Sequence, residues 1–182
     1  VVGLGNQGGK YEKTRHNAGF MAIEHFAKEH GFPEFRSSSK YHAQISEGEV
    51  QGTKVILAKP ETFMNNSGKA VKALCKNSNE DVVVIHDEID LPLGATKISE
   101  ESGSAGHKGV ESVMQELGTK DFARIRIGIQ PPEEKPANVE DFVLQKFSPQ
   151  ELPLLQKSLA DASNCVLGLA KQPKEKAEGK PG

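Results

Sequence analysis

Three residues stand where they could do chemistry. His16 lies in TRHNAG, Asp87 in VVVIHDEIDLPLG and Asn65 in KPETFMNNSG. Each falls at the end of an expected strand or just ahead of an expected helix, and in open α/β sheets those ends line the ligand crevice. A His–Asp pair is a base for activating water. The carboxylate fixes the imidazole tautomer and stabilises the cation that forms when water gives up its proton. The sequence has no G-x-S-x-G elbow, no HExxH and no P-loop, so nucleophile-elbow, zinc-peptidase and nucleotide-triphosphate chemistry lack their usual residues. His86, inside the same expected strand as Asp87, reads as a core histidine. Glu88 and Asp90 read as solvated turn charges, because a hard cation takes about six oxygen ligands and only Asp87 falls where the strand opens. His25, His30 and His42 have no evident partners.

The elements that must position these residues follow from hydrophobic periodicity. Val1-Val2 reads as a strand end, and with no initiator Met a few preceding residues are expected. An amphipathic helix is expected over about 18–30, with Phe20, Ile23, Phe26 and Ala27 on one face and Gly31 as the stop. Strands are expected at 41–47 and 53–58. A helix follows at 67–76, with Asn65, Asn66 or Ser67 available as cap. The run VVVIH at 82–86 is a strand covered on both faces. An edge strand at 95–99 and a helix at 107–117 come next. In ARIRIGI, Ile125, Ile127 and Ile129 alternate inward while Arg124 and Arg126 point outward. The last helix opens on a capping box, Ser148-Pro149-Gln150-Glu151, with Pro at N1. Its core stripe is Leu152, Leu155, Leu159, Ala162, Val166 and Leu169. The tail from Lys171 is Pro/Gly/Lys-rich and expected to be disordered. The sum is a single α/β domain over 1–170, with a mostly parallel or mixed sheet and helices on both faces, and a basic tail at 171–182.

Gly3-Leu4-Gly5-Asn6-Gln7-Gly8 matches G-x-G-x-x-G after a strand. Its context argues against a dinucleotide site. A Rossmann helix starts at once to meet the pyrophosphate, whereas Lys10 to Asn17 intervene here. Two readings remain: a turn that needs positive φ, or a backbone kept slim so that polar groups such as Asn6 face a cleft.

The 182 residues carry 23 Lys+Arg against 25 Asp+Glu, a net charge of −2. The balance is uneven: residues 80–101 hold seven acids and one base, while residues 1–79 hold eleven bases and seven acids. A near-neutral sum therefore does not exclude a basic face. No apolar run approaches the ~18 residues of a membrane span, and no signal-peptide pattern opens the chain. Cys75 and Cys165 are the two cysteines and form no C-x-x-C, which fits a reducing cytoplasm.

Taken together, GLGNQGGKYEKTRHNAG, KPETFMNNSGKAV, HDEIDLPLG, GHKG and RIRIGI resemble the bacterial-type peptidyl-tRNA hydrolases. The likeness runs from Val1 to about Phe147. It implies an α/β domain that cleaves the ester between a stalled peptide and the tRNA ribose, usually as a monomer, with no cofactor and no metal. It implies that His16 is the base, that Asp87 holds and charges it, and that Asn6 senses the substrate. Tyr11, Phe63 and Asn65 would contact the tRNA 3′ end and peptide, with Met64 shaping the pocket. Lys97 and Arg126 would hold phosphates.

The chain departs from the family in SGSAGHKG, where Lys108 stands in place of the usual Asn. Lys108 is expected to contact a tRNA phosphate or the reacting water, and its charge to lower the His16 pKa. Intron-splicing proteins of plant chloroplasts reuse this fold for RNA without hydrolysis, which is the alternative reading. With three or four phosphate contacts, binding is expected to show a shallow salt slope of about −0.9 per contact.

Overall fold

The computed structural model describes residues 1–75 and 81–171. The seven strands are β1 (Val2–Gly3), β2 (Arg36–Ser38), β3 (Ala43–Val50), β4 (Thr53–Pro60), β5 (Val83–Pro92), β6 (Thr96–Ser99) and β7 (Ala123–Gln130). They form one mixed sheet in the order β2-β3-β4-β1-β5-β7-β6. The central four are parallel, while β2, β3 and β6 supply the antiparallel flanks. Five helices are described: α1 (Ala18–Glu29), α2 (Ser67–Leu74), α3 (Lys108–Leu117), α4 (Val139–Val143) and α5 (Leu152–Ala170). The expected single α/β domain with helices on both faces is what the chain forms.

Two buried layers result. On one face Ile23 and Phe26 of α1 and Leu155, Leu159, Ala162 and Val166 of α5 pack on Ile85, Ile125, Ile127 and Ile129. On the other, Ala70 and Val71 of α2 and Val110 and Val113 of α3 pack on Val2, Leu4 and Val84. The chain leaving β1 passes to the first face. His107, at the head of α3, belongs to the second. The C-terminal ends of β1 and β5, where the strand order reverses, are the place at which open α/β sheets take their ligands.

The glycine-rich start is slim because a helix lies on it. A Cβ on Gly3 would sit 2.3 Å from the Gly19 carbonyl oxygen, and one on Gly19 would sit 2.4 Å from that of Ile85. Backbone thus packs on backbone where α1 crosses β1 and β5. Two single 3₁₀ turns, Gly9–Tyr11 and Arg15–Asn17, separate Gly8 from α1, so the helix does not follow the glycine loop directly in the chain as a Rossmann helix does.

Several expectations are corrected. β5 runs to Pro92, not to His86, which places Asp87, Glu88 and Asp90 in the strand. Arg124 is not outward-facing but 2% exposed. The sheet is covered on both sides, and Arg124 donates to the carbonyls of Ser102 and Gly103. No side chain of Asn65, Asn66 or Ser67 caps α2; the 3₁₀ turn Met64–Asn66 runs straight into it. At α5 half the capping box survives: Glu151 accepts from the Ser148 N–H at 2.7 Å, but the helix starts at Leu152. Leu152 itself is exposed rather than part of the core stripe. The tail expected to be disordered lies, beyond Lys171, outside the described residues, as does Lys76 at the end of the expected 67–76 helix.

Candidate active site

Asp87 is the centre of the site. It is 3% exposed, and two histidines reach it from opposite faces of the sheet. His16 Nδ1 lies 3.0 Å from both carboxylate oxygens. His107 Nε2 lies 2.8 Å from Oδ1. Burial works against the Asp87 carboxylate, yet the charges and hydrogen bonds of His16 and His107 outweigh it and hold its pKa well below the usual carboxylate range. Asp87 is therefore an acceptor, and each histidine nitrogen facing it carries the proton.

The remaining nitrogens differ. His107 Nδ1 accepts from the N–H groups of Gly109 (3.1 Å) and Val110 (3.3 Å), which makes His107 the N-cap of α3. Both of its nitrogens are committed. His16 Nδ1 is bound to Asp87, while its Nε2 has no hydrogen bond among the described residues. In the neutral ring that nitrogen carries a lone pair, as a general base requires. Burial alone would lower the His16 pKa. The charge and hydrogen bond of Asp87 overcome it, and the net shift is upward from 6.5. Lys108 acts downward but is the least of these contributions. The expected downward pull of Lys108 is thus present, but Asp87 decides the net direction.

His16, Asp87 and His107 bring ligand-type atoms within 4.8 Å of one another. The donor chemistry does not suit a cation. The His107 lone pair is spent on the helix cap, so its Nε2 offers a proton toward the centre of the cluster.

His86 packs edge-on to His107, with ring centroids 4.8 Å apart. Burial and the neighbouring His107 push its pKa down to about 3, so it is neutral. It reads as a core histidine, although its Nε2 has no partner among the described residues.

Asn6 is held rigidly. Its N–H donates to Asn17 Oδ1 (2.8 Å), and Asn17 Nδ2 donates back to the Asn6 carbonyl (2.9 Å). The side-chain Oδ1 accepts the Met64 N–H at 3.0 Å. Only an oxygen can accept there, so the amide orientation is fixed. Asn6 Nδ2 is left without a protein partner among the described residues. Met64 is buried beneath, Asn65 is exposed, and Phe63 is 72% exposed. Tyr11 ends the first 3₁₀ turn, with Lys10 over its ring at 4.7 Å.

The cations are less free than the sequence implies. Arg126 Nε donates to Glu88 Oε2 at 3.1 Å, and Glu88 is buried rather than a solvated turn charge. Lys108 Nζ meets Glu140 Oε1 at 2.6 Å, both side chains being exposed. Lys97 sits opposite Arg126 in the β6–β7 register and has no ion pair among the described residues. Asp90 pairs with Lys135. His30 contacts Ser163 and Glu29, and His25 lies 3.9 Å from Glu29. Sequence reasoning missed His107, Asn17, Arg15 and Arg124. The available signal for His107 was its place as the first residue of an expected helix; for Asn17 it was adjacency to His16.

The peptidyl-tRNA hydrolase family model matches residues 1–180, and the chain belongs to that family. A peptidyl-tRNA hydrolase of Exiguobacterium sibiricum is 45% identical over 168 residues, covering 90% of this chain and 89% of that one. One of Thermodesulfovibrio yellowstonii is 39% identical over 182 residues, covering 97% and 95%. Among solved structures, a peptidyl-tRNA hydrolase of Acinetobacter baumannii superposes with a TM-score of 0.85 at 33% identity, covering 93% of this chain and 87% of that one. No helix of the described residues is long and apolar enough to cross a membrane.

Proposed function

We propose that residues 1–170 form the catalytic unit of an enzyme that hydrolyses the ester between a peptide and the tRNA ribose in peptidyl-tRNA, returning tRNA from stalled ribosomes. Besides family membership, one observation carries the reading. Of two histidines on one buried carboxylate, His16 alone keeps an uncommitted ring nitrogen. His16 Nε2 takes a proton from water, and the hydroxide attacks the ester carbonyl. Asp87 orients the ring and stabilises the imidazolium. The amides of Asn6 and Asn65 donate to the developing oxyanion. The ribose oxygen leaves, taking the proton back from His16. No metal or other cofactor takes part.

Exposed Phe63, with Tyr11 and buried Met64, forms the contact to the 3′ end and the peptide. Lys97, Lys108 and Arg126 meet phosphates, Lys108 and Arg126 from positions already shared with Glu140 and Glu88. Few phosphate contacts mean a shallow salt dependence, with a slope of about −3. The enzyme acts as a cytoplasmic monomer. The test is turnover of an N-blocked aminoacyl-tRNA beside the free aminoacyl form. Multiple turnover of the blocked ester, with the free form spared, is expected. Binding without turnover would contradict the reading and favour an RNA-binding relative.

A further inference from the structure

We infer that Arg15, acting through Glu151, is a positioning residue for His16. The inference rests on the hydrolase reading above.

The segment ahead of His16 has little of its own to hold it. It consists of two short 3₁₀ turns without side-chain caps, and Lys13 between them has φ 62°. A left-handed non-glycine residue persists only where its surroundings impose the conformation. The constraint comes from residues 142–151, far away in sequence. The Phe147 N–H donates to the Lys13 carbonyl (3.3 Å), and the Arg15 N–H donates to the Gln145 carbonyl (3.0 Å). Thr14 and Lys146 form an antiparallel bridge.

The Arg15 side chain closes this seam from within. It is 6% exposed. Its guanidinium donates to the Lys146 carbonyl at 3.0 Å and to both oxygens of Glu151 at 3.0 and 2.8 Å. It lies 4.2 Å from the Phe142 ring centroid and 5.4 Å from that of Phe147. Burial opposes the Glu151 carboxylate, but the Ser148 N–H and Arg15 outweigh it and keep its pKa below the ordinary carboxylate value. Glu151 is thus a charged anchor at the head of α5.

One terminal nitrogen, Nη2, meets both Glu151 oxygens while the other, Nη1, meets the Lys146 carbonyl; a planar guanidinium serves the two partners from two fixed nitrogens, whereas an ammonium has a single nitrogen to place. One peptide unit separates this anchor from His16, whose Nδ1 is equidistant from the two Asp87 oxygens. The groups that face the imidazole are Asp87, His107 and Lys108. Arg15 turns away toward Glu151, so its loss acts on His16 through geometry.

The test compares Arg15→Lys, Arg15→Met and Glu151→Gln on an N-blocked aminoacyl-tRNA across pH, with tRNA binding and melting measured beside them. Arg15→Lys should lower kcat by ~10²-fold, the scale of a 1 Å misplacement, and leave KM near its wild-type value. The acidic limb of the kcat profile should move down toward 6.5, because His16 then sits less well on Asp87. Glu151→Gln should act the same way to a smaller degree. A folded Arg15→Lys protein with unchanged kcat and limb would overturn the inference, as would a loss confined to KM or melting. If the Arg15 variants fail to fold, Glu151→Gln decides by the same two readouts. If the wild type shows no turnover, the hydrolase reading falls on its own. An NMR titration of His16 then decides the positioning: a downward shift in Glu151→Gln supports it, and none overturns it.

Discussion

His16 and His107 meet the same carboxylate at 3.0 and 2.8 Å, yet they arrive from opposite faces of the sheet and are secured differently. A buried arginine stands behind each. Arg15 ties the His16 loop to Glu151 and Lys146. Arg124 of β7 holds the loop ahead of His107 by donating to the carbonyls of Ser102 and Gly103. What differs is the far side of each ring. His107 spends it on the first N–H groups of α3, while His16 leaves it uncommitted. A histidine's chemistry is set by what its second nitrogen is doing, and shared contact with Asp87 does not make the two equivalent.

Removing each ring is the largest test of that difference. His16→Ala should lower kcat by ~10²–10⁴, the usual contribution of a positioned base, and leave tRNA binding intact. His107→Ala should lose far less rate, because both of its nitrogens are committed and neither takes the proton. A loss as large as that of His16→Ala would break the comparison. Parallel single-turnover kinetics read both.

Asp87→Asn comes next. It removes the charge that holds His16 in its tautomer, so kcat should fall by ~10² or more. The sign of the pH effect is fixed. The Asp87 carboxylate raises the His16 pKa above 6.5, so the wild-type rate should climb with pH through a midpoint above that value. The variant's limb should move to lower pH. A limb that stays in place would mean that another group controls it.

The smallest effect separates the two jobs of His107. Losing the cap in His107→Ala should cost ~1 kcal/mol of stability. Asn is also a good cap, so His107→Asn should recover most of that while still lacking the imidazole donor to Asp87. Thermal melting beside kcat distinguishes them.

The sequence disclosed what period and spacing can carry. Strict alternation of Ile125, Ile127 and Ile129 located β7, and the 3–4 spacing of Leu155, Leu159, Ala162 and Val166 located α5. Those signals are local. The errors came where a second layer decides. Arg124 alternates with the isoleucines and so reads as outward, but the loop at 102–103 covers that face. Glu88 follows the apolar run and so reads as a turn, but parallel pairing with β7 extends the strand through it. At the site, His16 and Asp87 were legible because one lies just ahead of an expected helix and the other directly follows an apolar run. His107 was not singled out, because only the fold brings residue 107 to residue 87. Arg15 carries no local signal of burial either, since its partners Lys146 and Glu151 come from far along the chain.

The division of labour between the two histidines rests on which nitrogen of each ring carries the proton. A two-dimensional ¹H–¹⁵N correlation of the imidazoles at a pH above the His16 midpoint reads this without substrate. The expected result is the Nδ1–H tautomer at His16, with its Nε2 bearing the lone pair, and the Nε2–H tautomer at His107. The reverse pair, or an Nε2–H tautomer at His16, would contradict it.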